Sequence, residues 1–225
     1  MTSDVNPAAL PPLRQAQVAQ TEERIVAAAT ELFLAEGYLA TTLAAVARRA
    51  RVGARTVYVR FGTKVALFKR VIDVAIVGDT EAVDVLGRAR SRTPFTAPTA
   101  AARIAAFAAG GRQIMERTGA LFAVAQQAAA VEPLIAGFWQ QGREQTRHVH
   151  AEFWARMAAD DLLGADTDLD WLIDTTTLLG AAETYLLITR MLGWGLDTYQ
   201  DWLVTTMTRL AAAGGPAAPA LPPAG

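Results

Sequence analysis

The stretch from Thr42 to Tyr58 constrains the fold more than any other, because it has room for two short helices and only a tight turn between them. Leu43 to Ala50 reads as the first of these helices, with Thr42 suited to cap its N-terminus. After a break at Arg51, Val52 and Gly53 a second short helix runs to about Arg60. Helices joined so tightly must cross closely, which requires a small residue at the contact, and Ala47 supplies it. Val46, Val52 and Val57 can close the small core between them. The second helix then presents Ala54, Arg55, Thr56, Tyr58 and Val59 near its start, the part of a helix-turn-helix that enters a DNA major groove.

Charge supports this reading once it is divided along the chain. Between Ala40 and Ala75 stand Arg48, Arg49, Arg51, Arg55, Arg60, Lys64, Lys69 and Arg70 against the single anion Asp73, a balance of 8 − 1 = +7. The whole chain carries −1, so the remainder carries −8, an asymmetry that marks a basic binding face. Two alanine-rich helices of an ordinary bundle have no need of a cationic second member.

The surrounding sequence is helical in pattern. Thr21 to Tyr38 reads as a first helix, with Thr21 as cap, Glu22 and Glu23 at the positive start and Gly37 as the stop. Ile25, Ala28, Ala29, Leu32 and Phe33 form its buried stripe, and Phe61 and Phe68 are assigned to core. A fourth helix is expected from Lys64 to about Arg90, followed by breaks at Pro94 and Pro98. Further helices are expected over 99–118, 121–131, 133–163, 169–192 and 198–213, with no strand and no internal repeat. The fold class is therefore all-α: an N-terminal three-helix DNA-binding unit with a helix-turn-helix, plus a C-terminal helical bundle. The expected organisation is a flexible tail at 1–20, the DNA-binding domain at 21–66, a ligand-binding and dimerisation domain at 67–213, and a second flexible tail at 214–225.

The sequence resembles the TetR family of repressors. The resemblance is carried by Gly37-Tyr38, Thr41-Thr42, Val46-Ala47, Val52, Thr56-Val57-Tyr58, Phe61, Lys64 and Leu67-Phe68, and it covers about residues 21–70. Two positions depart from the family pattern. Arg51 stands where the turn usually has Gly, and Gly53 stands where a Ser-type cap is usual. The DNA-binding set read from chemistry, with which the resemblance agrees, is Thr42, Ala54, Arg55, Thr56, Tyr58, Val59 and Lys64. Arg55 is the candidate base reader, since a guanidinium pairs bidentately with guanine O6 and N7. Ala54 and Val59 suit a thymine methyl, while Thr42, Thr56, Tyr58 and Lys64 suit phosphate. Arg48 and Arg49 add sequence-blind attraction or are simply solvated.

One short recognition helix makes few contacts, so a homodimer on a near-palindromic operator is expected. The nominated interface comprises Gly180, Thr184, Leu187 and Met191 in one helix and Leu203, Thr206, Met207 and Leu210 in the next, the mode of pairing usual in TetR-type proteins. For the effector pocket the candidates are Phe107, Met115, Phe122, Gln127, Trp139, Trp154, Trp171 and Glu183: apolar walls with Gln127 and Glu183 as polar anchors. They suggest a small hydrophobic effector, and a cationic one if Glu183 is buried. For any single one of these aromatics plain core packing is the better reading, and only the set as a whole suggests the effector.

Enzyme chemistry finds little footing. There is no Cys, and the only Ser residues, Ser3 and Ser91, fall in a tail and a loop. His148 and His150 are two apart and point to different sides of a helix, so they do not pair on a metal; Glu144, His148 and Glu152 share a face only faintly suggestive of one. The expectation is a non-enzyme without cofactor or metal. Neither a signal peptide nor an apolar block of membrane length is evident, so the chain reads as cytoplasmic with no membrane partner. The reading overall is a DNA-binding regulator, a repressor released by its effector, though activation would follow from a differently placed operator. The alternative is a helical interaction or ligand-binding module without DNA binding, which leaves Arg55, Tyr58 and Lys64 unexplained.

Overall fold

In the computed structural model, residues 12–78 and 93–215 are described, and their regular structure is entirely helical. The order is α1 (Pro12–Ala40), α2 (Leu43–Ala50), α3 (Ala54–Phe61), α4 (Lys64–Val77), α5 (Thr93–Thr96), α6 (Ala100–Ala129), α7 (Pro133–Ala159), α8 (Leu169–Gly180), α9 (Ala182–Met191) and α10 (Leu196–Ala213). The chain divides into two compact units, Met1–Val74 and Ala75–Gly225. The division falls within α4 and not at 66/67, because Leu67, Phe68, Val71 and Ile72 are buried and Phe68 joins the ring cluster of the first unit.

The first helix begins at Pro12, well before the expected start at Thr21. A proline at a helix start loses no backbone bond, since the first N–H groups have no partner anyway. Thr21 is interior: its hydroxyl donates to the carbonyl of Gln17 at 2.8 Å. The added turns are tied to the unit by Arg60, which donates to the Val18 carbonyl at 3.1 Å, and Glu22 accepts from Arg70 Nε at 2.9 Å. Gly37 does break the helix, at φ 79° and ψ 172°, a backbone that favours glycine. The chain then turns so that Tyr38 meets Phe33 and Phe68, with ring centroids 6.0 and 5.3 Å away. Buried Thr41 donates back to the Gly37 carbonyl at 2.8 Å and closes this corner.

In the second unit two expected helices fuse and one splits. The break expected near Gly119 is absent, and α6 runs through it. Gly119 is there for close approach, not for a turn: a Cβ added to it would lie 2.6 Å from the Tyr185 ring. Conversely, the helix expected over 169–192 is broken at Ala181, whose backbone is extended. Helix α7 ends at Ala159, and Asp161 follows in a left-handed conformation at φ 55°. The part of the fourth helix expected beyond residue 78 lies outside the described residues.

Two apolar clusters build this unit. One gathers Ile104, Phe153, Trp154, Met157, Leu172, Ile173 and Met207; the other gathers Ala108, Met115, Ile188, Tyr199 and Leu203. A polar knot lies in the first. Thr176 donates its only hydroxyl hydrogen to the Leu172 carbonyl at 2.7 Å and accepts from Trp154 Nε1 at 2.8 Å. His150 Nδ1 is 3.0 Å from the same oxygen, so it must carry the hydrogen of that bond. Burial pushes the imidazole down to about 4, which keeps it neutral. Buried Arg103 donates through Nε to the Ala97 carbonyl at 2.7 Å and through Nη2 to Asp160 at 2.6 Å, while its Nη1 has no partner among the described residues. That guanidinium holds the Asp160 carboxyl below the usual carboxylate range.

Three substitutions test this packing. Gly119→Ala forces a methyl into Tyr185 and is expected to cost about 1–3 kcal/mol in chemical denaturation. Gly137→Ala, on the exposed face of α7 with open space around it, is expected to gain up to about 1 kcal/mol. Because the folded-state value of His150 lies below its unfolded value of 6.5, its contribution is complete above pH 6.5 and is lost as pH falls toward 4. His150→Gln is expected to flatten the decline of stability across that window, read from denaturation midpoints against pH.

Candidate nucleic-acid interface

The interface is built on two helices of 8 residues each, too short to stand alone, and held by the elements around them. Thr42 caps α2, its Oγ1 accepting from the Ala45 N–H at 3.1 Å. Accepting leaves its hydroxyl hydrogen to donate outward. Helix α2 buries Val46, Ala47 and Ala50, so the small residue expected at the crossing is enclosed there. Arg51 takes the left-handed conformation, φ 55° and ψ 47°, and its N–H caps α2 through the Ala47 and Arg48 carbonyls. For a residue with a Cβ this costs about 1 kcal/mol. Gly53 precedes α3 in an extended conformation and, having no side chain, makes no side-chain cap.

Helix α3 buries only Val57. The other faces point outward: Ala54, Arg55 and Thr56 are exposed, as are Tyr58 at 65% and Val59 at 71%. An aromatic and a branched apolar side chain left this open have no packing role in their own unit. The structure thus brings Ala54, Arg55, Thr56, Tyr58 and Val59 onto one short exposed helix, as the sequence reading placed them.

Lys64 differs. Its ammonium donates to the carbonyls of Tyr38 at 2.9 Å and Leu39 at 3.3 Å, and it lies 4.2 Å from the centroid of the Tyr38 ring. The side chain nominated for phosphate holds the start of α4 to the corner after α1, a role the sequence reading missed. The resemblance motif gave the position of this lysine; only the fold gave its partners. Arg49, offered as sequence-blind attraction, is bonded to Glu31 at 2.6 Å, and Arg48 is exposed.

The nominated effector residues fall into two groups, Phe107, Trp154 and Trp171 in one and Met115, Phe122, Trp139 and Glu183 in the other, with Gln127 apart. Phe107 stacks on Phe153 at 4.2 Å and meets His150 edge-on, while Trp154 is fully buried in the same cluster. Met115 and Phe122 belong to the other cluster, and Phe122 meets Trp139 edge-on at 5.6 Å. Trp171 packs half-buried against the first cluster. Gln127 is exposed and so has no apolar surroundings to anchor. Glu183 is only half-buried and is already met by Arg143 at 2.7 Å and Trp139 Nε1 at 2.9 Å, which removes the argument for a cationic effector. A cleft of about 570 Å³ in this unit is lined instead by Ala100, Ile104, Leu163, Thr167, Ala211 and Gly215 among others.

The interface residues divide too. Leu187 and Met191 are exposed, at 56% and 73%, and Thr184 donates to the Leu178 carbonyl at 2.5 Å. Gly180 does not lie on their seam: it makes room for His150, whose Nε2 would be 2.7 Å from an added Cβ. Leu203 and Met207 are enclosed in their own unit's clusters, and Leu210 packs on one of them, so the periodic stripe of α10 is core. Thr206 is half-buried. Leu178 and Leu192, which the sequence reading passed over, add to the exposed apolar surface of α8 and α9. Among the described residues no three His, Asp or Glu side chains are placed to hold a metal, and no helix is long and apolar enough to cross a membrane.

Comparison with known proteins agrees with the geometry. Residues 25–71 match the model of bacterial regulatory proteins of the tetR family. Among solved structures, NalD, the secondary repressor of the MexAB-OprM multidrug efflux pump in Pseudomonas aeruginosa, is similar at 19% identity and a TM-score of 0.55, over 86% of this chain and 97% of its own. Salmonella enterica GusR is similar at 16% identity and a TM-score of 0.56, over 85% and 95%. A TetR-like transcriptional regulator from Rhodococcus sp. RHA1 gives 17% and 0.51, over 89% and 97%. Likeness at these identities concerns the fold alone. No curated protein sequence matches the chain. Residues 25–71 thus form a module of the kind found in bacterial regulatory proteins of the tetR family.

Proposed function

We propose that this regulator is a repressor that binds a near-palindromic operator as a homodimer and is released by a small hydrophobic effector. The observation that carries the reading is the exposed surface of α3, where Arg55, Thr56, Tyr58 and Val59 project with only Val57 turned inward. Arg55 reads a guanine edge, Ala54 and Val59 meet thymine methyls, and Thr42, Thr56 and Tyr58 bond phosphate. Lys64 serves DNA binding chiefly by fixing the frame around α2 and α3, since its ammonium already bonds two carbonyls. The homodimer reading rests on the exposed apolar side chains Leu178, Leu187, Met191 and Leu192, a surface of the kind that copies of a chain bury on pairing. The effector reading rests on the apolar character of the second unit, and its coupling to DNA requires a preference of about 1–3 kcal/mol for the DNA-incompetent state.

The DNA reading is tested by band-shift titration on the chain's own upstream region. Arg55→Ala is expected to weaken specific binding by about 1–3 kcal/mol and to leave a scrambled duplex unaffected. An equal loss on both makes Arg55 a phosphate contact, and failure of the unmodified protein to retard any duplex favours the interaction module. Sedimentation of Leu187→Glu/Met191→Glu is expected to give a monomer; an unchanged dimer removes α9 from the interface. For the switch, hydrophobic candidates are titrated against labelled operator, and proven ligand binding with unchanged DNA affinity rules out the coupling.

A further inference from the structure

A second charged feature of the N-terminal unit is formed by α1, α2 and the turn that follows α2. Arg24, Ala27, Ala28 and Glu31 stand on one face of α1, and with Arg49, Ala50 and Arg51 they enclose an open cleft of about 340 Å³. The floor is alanine, which leaves the space to the long side chains at the rim. Three arginines and one glutamate line this cleft. Glu31 is engaged by Arg49 alone, through Nε at 2.6 Å and Nη2 at 2.5 Å. Arg24 makes one long contact to the Thr21 hydroxyl, at 3.4 Å. Among the described residues Arg51 has no side-chain hydrogen bond or ion pair.

The backbone adds an independent sign. Arg51 occupies the left-handed conformation at φ 55°, which glycine adopts without strain. Strain of this kind concentrates at binding sites, where the side chain compensates for it. Here an arginine in a strained turn, with no side-chain partner among the described residues, lines a cleft already rich in positive charge.

We propose that the cleft of Arg24, Arg49 and Arg51 is a phosphate-binding site. Guanidinium forks match phosphate oxygens in pairs, and three around one small cavity suit a dianion better than a chloride or a single carboxylate. Glu31 acts as the resident counter-ion that an incoming phosphate displaces from Arg49. The phosphate comes either from the backbone of the duplex or from a free phosphorylated molecule. The proposal is independent of base reading by Arg55.

The test uses the full chain, the variants Arg51→Gly and Arg24→Ala/Arg51→Gly, and two probes. A non-operator duplex is followed by fluorescence anisotropy at several salt concentrations, and inorganic pyrophosphate is followed by the arginine Nε–Hε resonances. With DNA as the source, the double variant loses about tenfold in duplex affinity and its log K against log salt becomes shallower by about 2. With a free phosphate as the source, duplex binding is unchanged, while pyrophosphate shifts the arginine resonances of the unmodified protein and binds the double variant about tenfold more weakly. Arg51→Gly relieves the left-handed strain, so its Tm is expected to hold or to rise by up to about 3 °C. Glu31→Gln removes the competing carboxylate that Arg49 engages and keeps all three arginines, and it is expected to tighten binding of whichever probe binds. Equal binding of both probes by the double variant and the unmodified protein overturns the proposal, as does weaker binding by Glu31→Gln.

Discussion

Everything the N-terminal unit does depends on one corner, where Lys64 is laid over Tyr38. The ammonium bonds the Tyr38 and Leu39 carbonyls and lies against the ring face, so the start of α4 is fixed to the end of the first helix. Tyr38 in turn packs with Phe33 and Phe68, which joins α1 and α4 through aromatic contact. Helices α2 and α3 have 8 residues each and could not persist by themselves. Their position is therefore set from outside, by a frame whose joint is a cation on an aromatic face. Gly37 permits the joint, because only a backbone at positive φ turns Tyr38 back toward Phe68.

The same frame explains the openness of α3. Its one buried side chain, Val57, seats it, and α2 is the element against which it chiefly packs. A helix that contributes so little to its own core is free to carry residues chosen for an external partner. That separation is the physical basis for reading Arg55, Tyr58 and Val59 as recognition side chains.

Much of this was legible in the sequence, and the failures have a common cause. The Thr42 cap, the crossing at Ala47, the stop at Gly37 and the outward set on α3 follow from local chemistry over a few residues, and local chemistry is visible in a linear pattern. The expected breaks at Gly119 and the unbroken helix through Gly180 went wrong together. Each glycine was assigned by local rule, while its reason was a distant neighbour: the Tyr185 ring for Gly119, the His150 imidazole for Gly180. The stripe on α10 failed for a related reason, since period alone reports that a face is apolar and not what covers it. Leu203 and Met207 proved to be enclosed by their own unit.

By itself the sequence determined an all-helical chain, a basic helix-turn-helix near its start and the identity of the side chains that α3 exposes. These depend on spacing, capping and charge, which act between near neighbours. Tertiary structure alone decided that Lys64 is a clasp, that Glu183 is spoken for by Arg143 and Trp139, and that Arg24, Arg49 and Arg51 meet around one cleft. Those outcomes join residues far apart in the chain, and a charge or a ring acquires its role only from the group that packing brings within a few ångströms of it.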